Sequence, residues 1–450
     1  MPSPPSRRWL RRGLAAGAVL VVLAGAAAAF VLLNAPGNVS NPNVSFTAPK
    51  HKTPPPKTTD FEWPWYGFNA QRTRDFPSSK LDPPFRIGWR YQDYALLEFP
   101  PVIYRSRLYL LDDDGSAKAI NATNGHLIWQ HKIGTLAAAS PALDVAHGLM
   151  FAPILSIHGS TPGNGRLAAL SMKTGKVVWS RRIPAGTESS PIVWQNKVFF
   201  GDQAGDVYAL GTQLGKLRWL YHASAAVKGG PSISGGTIYF GDYAGRAYAL
   251  RASNGHPIWT ANTYGAEFGL GSGNFYSSPA VAFGRVYMGN TDGRVYSFSA
   301  RTGRLGWATT TGAYVYSSPA VANTPGLGPT VYIGSYDGHL YAFNARTGAV
   351  RWSHPAGGRI SGSPQIIGDV VYYDNLGSKT TAGLNARTGK QVFSFHDGAF
   401  NPAITNGHVV FLVGYSMLYE LLPTHSKSKH SATAKSRSGK KATHSRDAHA

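Results

Sequence analysis

Eight prolines recur along the 450-residue chain (Pro101, Pro141, Pro191, Pro231, Pro279, Pro319, Pro364 and Pro402), and serine precedes most of them. The residues three places ahead are Glu98, Ala138, Glu188, Lys228, Tyr276, Tyr316, Ser361 and Ala399. Paired carboxylates could share acid and base work or, with further converging oxygens, hold a calcium ion. Two glutamates among eight positions, with a lysine next to one, do not supply that cage. Asp112–Asp114 offers another acidic cluster, but Gly115 follows it and the local pattern is that of a hairpin turn.

Other chemistries are poorly supplied. The chain has no cysteine, which removes disulfides, lipid attachment through cysteine and thiolate metal sites. His126, His256 and His339 occupy turn positions, so no Ser-His-Asp set can be nominated. The Gly-rich stretch 263–278 lacks the strand-to-helix context of a phosphate loop. The residues thus point to a binding surface rather than a reaction centre: Glu98, Glu188, Lys228, Tyr276 and Tyr316 on one face. Tyr276 and Tyr316 stand as neighbours there, either exposed together as a partner anchor or packed on the adjacent loop 263–275.

The elements that must position these residues are repeats. AFNARTGAVRW (342–352) and SFSARTGRLGW (297–307) are two of seven copies of one phrase, whose Gly is invariant. It ends in Trp129, Trp179, Trp219, Trp259, Trp307, Trp352 and, in the last copy, Phe393. The distances from each proline to its closing aromatic are 28, 38, 28, 28, 28, 33 and 29 residues. Between them lie alternating runs such as KVFFGDQAGDVYAL (197–210), two short strands joined across a Gly turn. Each unit therefore reads as a four-stranded antiparallel sheet, and serial sheets of this size make a propeller. The Gly serves a turn that needs permissive φ, and the aromatic packs between neighbouring blades.

The expected count is eight blades. Pro402 starts a further unit that supplies three strands before residue 423. The missing strand is available at the start of the chain: FRIGWRY (85–91) carries Trp89, 40 residues before Trp129. An amino-terminal strand closing blade eight would remove the open sheet edges.

The phrase AxxxxTGxxxW, its period near 40 residues and the count of eight make residues 61–423 resemble the pyrroloquinoline quinone (PQQ) repeat, or quinoprotein-like, propellers. The resemblance implies an eight-bladed all-β fold. It leaves open a PQQ-dependent dehydrogenase with bound Ca²⁺ and a noncatalytic scaffold like that of the outer-membrane barrel assembly machinery. In the dehydrogenases the quinone is typically held against a disulfide of adjacent cysteines, which this chain cannot form. The scaffold reading, with no cofactor and with cell-envelope proteins as partners, is therefore preferred.

Outside the propeller the chain is basic. The net charge is +22, yet residues 1–59 carry seven Lys/Arg and no acid, and residues 424–450 carry seven Lys/Arg and one Asp. These tails argue for nonspecific polyanion contact at most, not for base-reading nucleic-acid recognition. Four arginines in the basic segment 1–12 precede 21 uncharged residues, 13–33, enough to span about 30 Å of hydrocarbon as a helix. They predict a single-pass signal anchor with a cytoplasmic amino terminus and the propeller outside the cytoplasm. A cleaved signal peptide is the competing reading. Residues 34–60 are proline-rich and read as a tether, and residues 424–450 as a disordered tail whose histidines are simply solvated.

Overall fold

A computed structural model describes residues 37–48, 62–77, 81–159, 164–263 and 273–424. The expected anchor at 13–33 and the carboxy-terminal tail after Thr424 lie outside the described residues. Within them no helix is long and apolar enough to cross a membrane.

Eight antiparallel sheets of four propeller strands follow one another around an axis. Blade four is representative: Ser232–Ser234 innermost, then Thr237–Gly241, Arg246–Arg251 and Pro257–Asn262 outermost. Blade eight pairs Met417–Pro423 with Phe85–Gln92, so the amino-terminal strand closes the ring as the spacing predicts.

Two repeated contacts join the blades. Each closing Trp lies on the Gly of the next blade's turn and donates its indole N–H to a carbonyl there: Trp219 to Ala252 O at 3.0 Å, Trp307 to Ala345 O at 2.9 Å. Gly255 has φ +75°, and a Cβ on it would lie 2.8 Å from the Trp219 ring, so both geometry and space demand glycine. Phe393 breaks the pattern because blade eight, built from two chain ends, has no such turn; its ring meets Phe85 edge-on instead. Nearer the axis, serines before the prolines link neighbours. Ser318 Oγ accepts from Ser278 N–H at 3.0 Å, and Ser363 Oγ from Ser318 N–H at 2.9 Å.

Residues 62–77, which the sequence assigns simply to the start of the propeller, instead fill its centre. Glu62–Trp63 pairs antiparallel with Val102–Tyr104, and Asp75–Phe76 pairs parallel with Gln365–Ile367. Between these strands, carbonyls of Pro64, Ala70, Gln71, Thr73 and Arg74 accept from the N–H groups of Leu143, Ile233, Val281, Val321 and Ile366. The innermost strand of every blade leaves backbone groups facing the axis, and this segment satisfies several of them. Arg72 is completely buried and donates to Tyr66 O, Ser190 O, Pro191 O and Pro231 O, so one guanidinium ties blades three and four to the plug.

The tether also departs from expectation. Val39–Ser40 adds a fifth strand to the outer edge of blade five, pairing with Trp307 and Ala308. Arg285 donates to Val44 O and Ser45 O, and Phe46 packs on Phe283 at 5.8 Å. The blade-five outer strand, LGWATT, is largely buried and carries no charge, unlike exposed LIWQHK in blade one. That local apolarity suits it to a covering strand.

Candidate functional site

Because every blade starts its inner strand at the proline, the residues before it gather at one mouth of the axis. The plug closes the channel below them, leaving a blind funnel. Six of the eight positions line it: Glu98, Glu188, Lys228, Tyr276, Tyr316 and Ser361. Ala138 and Ala399 are buried and stand outside the lining.

Glu188 organises the polar side of the funnel. One carboxylate oxygen takes Lys228 Nζ at 2.8 Å and Gln203 Nε2 at 2.6 Å; the other takes the Tyr276 hydroxyl at 3.3 Å. Lys228 also sits 4.8 Å from the centre of the Tyr243 ring, a cation–π contact. Tyr276 and Tyr316 are neighbours, edge to face at 5.7 Å, and Tyr316 meets Tyr336 at 4.9 Å. Both tyrosines are half-buried within this aromatic wall, not exposed as a pair on the surface. Tyr276 packs on Tyr243, and burial with the nearby Glu188 pushes its hydroxyl well above its ordinary value.

Glu98 occupies the other side. Burial, with smaller contributions from Asp113 and Glu188, pushes its carboxyl up to about 7. Asp113 is itself raised to about 6 by burial and by Asp114. The Asp112–Asp114 run is a turn, as the sequence indicates, but Asp112 is also buried in an ion pair with Lys118.

The floor is Tyr66, whose hydroxyl donates to Asn401 Oδ1 at 3.1 Å and lies 2.9 Å from Ser363 Oγ. Arg74 stacks over its ring, with Cζ 4.2 Å from the centre. Sequence reasoning missed Tyr66 because 61–84 carries no repeat. It also missed Gln203, Tyr243 and Tyr336, although a signal was present: they hold one register in the turns GDQAG, GDYAG and GSYDG.

The lining does not fit PQQ with Ca²⁺. Among the described residues no three His, Asp or Glu converge on a cation position. Glu188 is committed to Lys228, and Tyr66 with its arginines fills the axis. The remaining cavity is about 40 Å³, room for about three water molecules rather than a tricyclic quinone.

Comparisons with known proteins agree with the architecture. The chain superposes on BamB from Moraxella catarrhalis with a TM-score of 0.61 at 18% identity, covering 76% of this chain and 99% of that one. A europium-containing methanol dehydrogenase gives 0.65 at 13% identity, covering 80% and 98%. The quinohemoprotein alcohol dehydrogenase of Comamonas testosteroni gives 0.64 at 13%, covering 80% of each. At these identities the likeness is one of fold. A tetrathionate hydrolase from Acidithiobacillus ferrooxidans is 30% identical over 125 residues, 24% of this chain and only 25% of that protein's length. The family model described as outer membrane protein assembly factor BamB matches residues 86–261 and 291–442, most of the chain. With its seven repeats of one Gly-aromatic phrase, eight four-stranded blades and amino-terminal closing strand, the chain belongs to this BamB family of PQQ-repeat propellers.

Proposed function

We propose that the protein is a noncatalytic, membrane-tethered scaffold that holds other cell-envelope proteins at its funnel face, outside the cytoplasm. The carrying observation is that the funnel's polar groups are largely engaged with one another. Glu188, Lys228, Gln203 and Tyr276 form a closed set over a small cavity, which suits a rigid docking platform better than a reaction chamber. Around the mouth, Tyr94, Tyr314 and Tyr415 are exposed, the kind of side chain that anchors interfaces. The membrane tether rests on the apolar segment 13–33 behind its four arginines.

The test is recovery of partners from detergent-solubilised membranes by the full chain and by Tyr94→Ala/Tyr314→Ala/Tyr415→Ala. The surface variant should keep its thermal midpoint and lose the partners that the parent recovers. Recovery of the same set by a stable variant would remove the funnel face from the interface. Titration with PQQ and Ca²⁺, followed by absorbance, addresses the dehydrogenase reading, and stoichiometric binding would restore it.

A further inference from the structure

The face opposite the funnel carries a second surface. In each antiparallel blade the inner strand starts at the funnel, so the turn before the outermost strand lies at the far end. Those turns are the seven Gly-aromatic phrases, and none of the seven contains an acid. Lys176, Lys216, Arg251, Arg301, Arg387 and Lys390 stand exposed on them, spread over blades two, three, four, five and seven. None of the six makes an ion pair among the described residues.

Many of the acids lie at the other end. Asp112, Asp202, Asp242, Asp292 and Asp337 lie in the turns at the funnel end, together with Glu98 and Glu188. On the basic face, Asp144 is paired with His147 at 2.8 Å. Glu62, Asp82 and Asp369 lie on the plug, the segment leading to the closing strand and an inner turn, inside the ring of outer turns. The outer turns of the rim thus carry cations on five blades and no carboxylate.

The last described residue lies at the same face. Pro423 pairs with Phe85 and Thr424 donates to Pro84 O, which places the last described residue at this end of blade eight. The remaining 26 residues, 425–450, carry seven Lys/Arg and one Asp. The amino-terminal side leads away from it. Asn38 accepts from Thr310 N–H at the funnel end of the outer strand, so the first described residues lie at the opposite end from the rim.

We propose that this rim binds a linear phosphate-bearing polyanion, laid across successive turns, while the funnel face remains free for proteins. A polymer suits the arrangement because its charges can follow cations spread around a circumference, with affinity from released counterions rather than from a fitted pocket.

The experiment measures binding of the full chain in detergent to long-chain inorganic polyphosphate across a salt series. A second arm uses vesicles of phosphatidylglycerol and phosphatidylcholine. Lys176→Glu/Lys216→Glu/Arg301→Glu/Arg387→Glu is compared with an equal charge change at the funnel end, Arg166→Glu/Arg182→Glu/Arg359→Glu/Lys379→Glu. A Gln series at the rim serves if the reversed set is unstable. The rim variants should weaken polyphosphate binding by about tenfold or more and lower the log–log salt slope by about one for each phosphate no longer neutralised. The funnel-end set should leave the slope unchanged. Equal weakening in both sets would reduce the effect to net charge, and weakening only on truncation after Thr424 would assign it to the tail. Binding to vesicles but not to polyphosphate would overturn the choice of a polymer.

Discussion

Lys118 Nζ lies 2.6 Å from both carboxylate oxygens of Asp93, and Asp112 contacts it from blade one. All three side chains are almost wholly buried. Asp93 directly follows the closing strand Phe85–Gln92, so this triad locks blade eight to blade one. In other blades the same register holds a tyrosine: Tyr208 donates to Asp202 and Tyr248 to Asp242. Lysine replaces it where a second carboxylate must be reached.

Lys118→Met should therefore destabilise the protein by about 3–5 kcal/mol, because it strands two buried carboxylates. Lys132→Met, at the exposed pair with Asp114, should cost about 0–1 kcal/mol. Denaturant unfolding of both variants checks this, and equal destabilisation would deny the triad a role in closure.

Stability should fall as pH rises from about 4 to about 8. Burial, with Asp397 adding to it, pushes Asp374 up to about 8 from 3.8, although Thr381 and Ala399 donate to it. The folded state keeps a proton that the unfolded chain has released, so this contribution is full below the unfolded value and lost through the folded one. Asp75 and Glu98, both raised to about 7 by burial, act in the same direction. Thermal midpoints at pH 5.5 and 8 measure the slope. Asp374→Asn should flatten it, and an unchanged slope would assign the effect to other groups.

Arg72→Met should lower stability by on the order of 3 kcal/mol or more, since buried carbonyls of Tyr66, Ser190, Pro191 and Pro231 lose their donor. The plug is integral to the ring on this account. Deleting residues 61–92 should accordingly abolish cooperative unfolding, and an unchanged thermal midpoint after that deletion would contradict both the plug and the closing strand.

Arg285→Ala should release residues 37–48 from blade five while leaving the eight blades folded. Hydrogen exchange reads this directly: protection should fall at Val39–Asn41 and at the outer strand Leu305–Thr310, and persist in blade one. Unaltered protection would place the attachment in the strand pairing alone.

The repeat phrase was sufficient to specify the blades. Its Gly must adopt positive φ beneath an indole, and its Trp must reach the neighbouring blade, so both demands recur at fixed spacing and are legible in Gly255 and Trp219. The closing role of Trp89 was legible for the same reason, as a 40-residue offset from Trp129. Glu98, Glu188, Lys228, Tyr276 and Tyr316 could be brought to one mouth from register alone.

What they do there was not legible. Glu188 joins Lys228, Gln203 and Tyr276 only because antiparallel blades bring their inner turns together at the axis, across separations of up to 88 residues. Tyr66, Arg72 and Arg74 have no periodic signature, because one segment crosses many blades and meets a different neighbour at each step. The strand Val39–Ser40 reads as a proline-rich tether until the bare edge of blade five is in place to receive it. Periodic sequence determines contacts that repeat; contacts made once, between distant and dissimilar segments, are decided only when the ring closes around them.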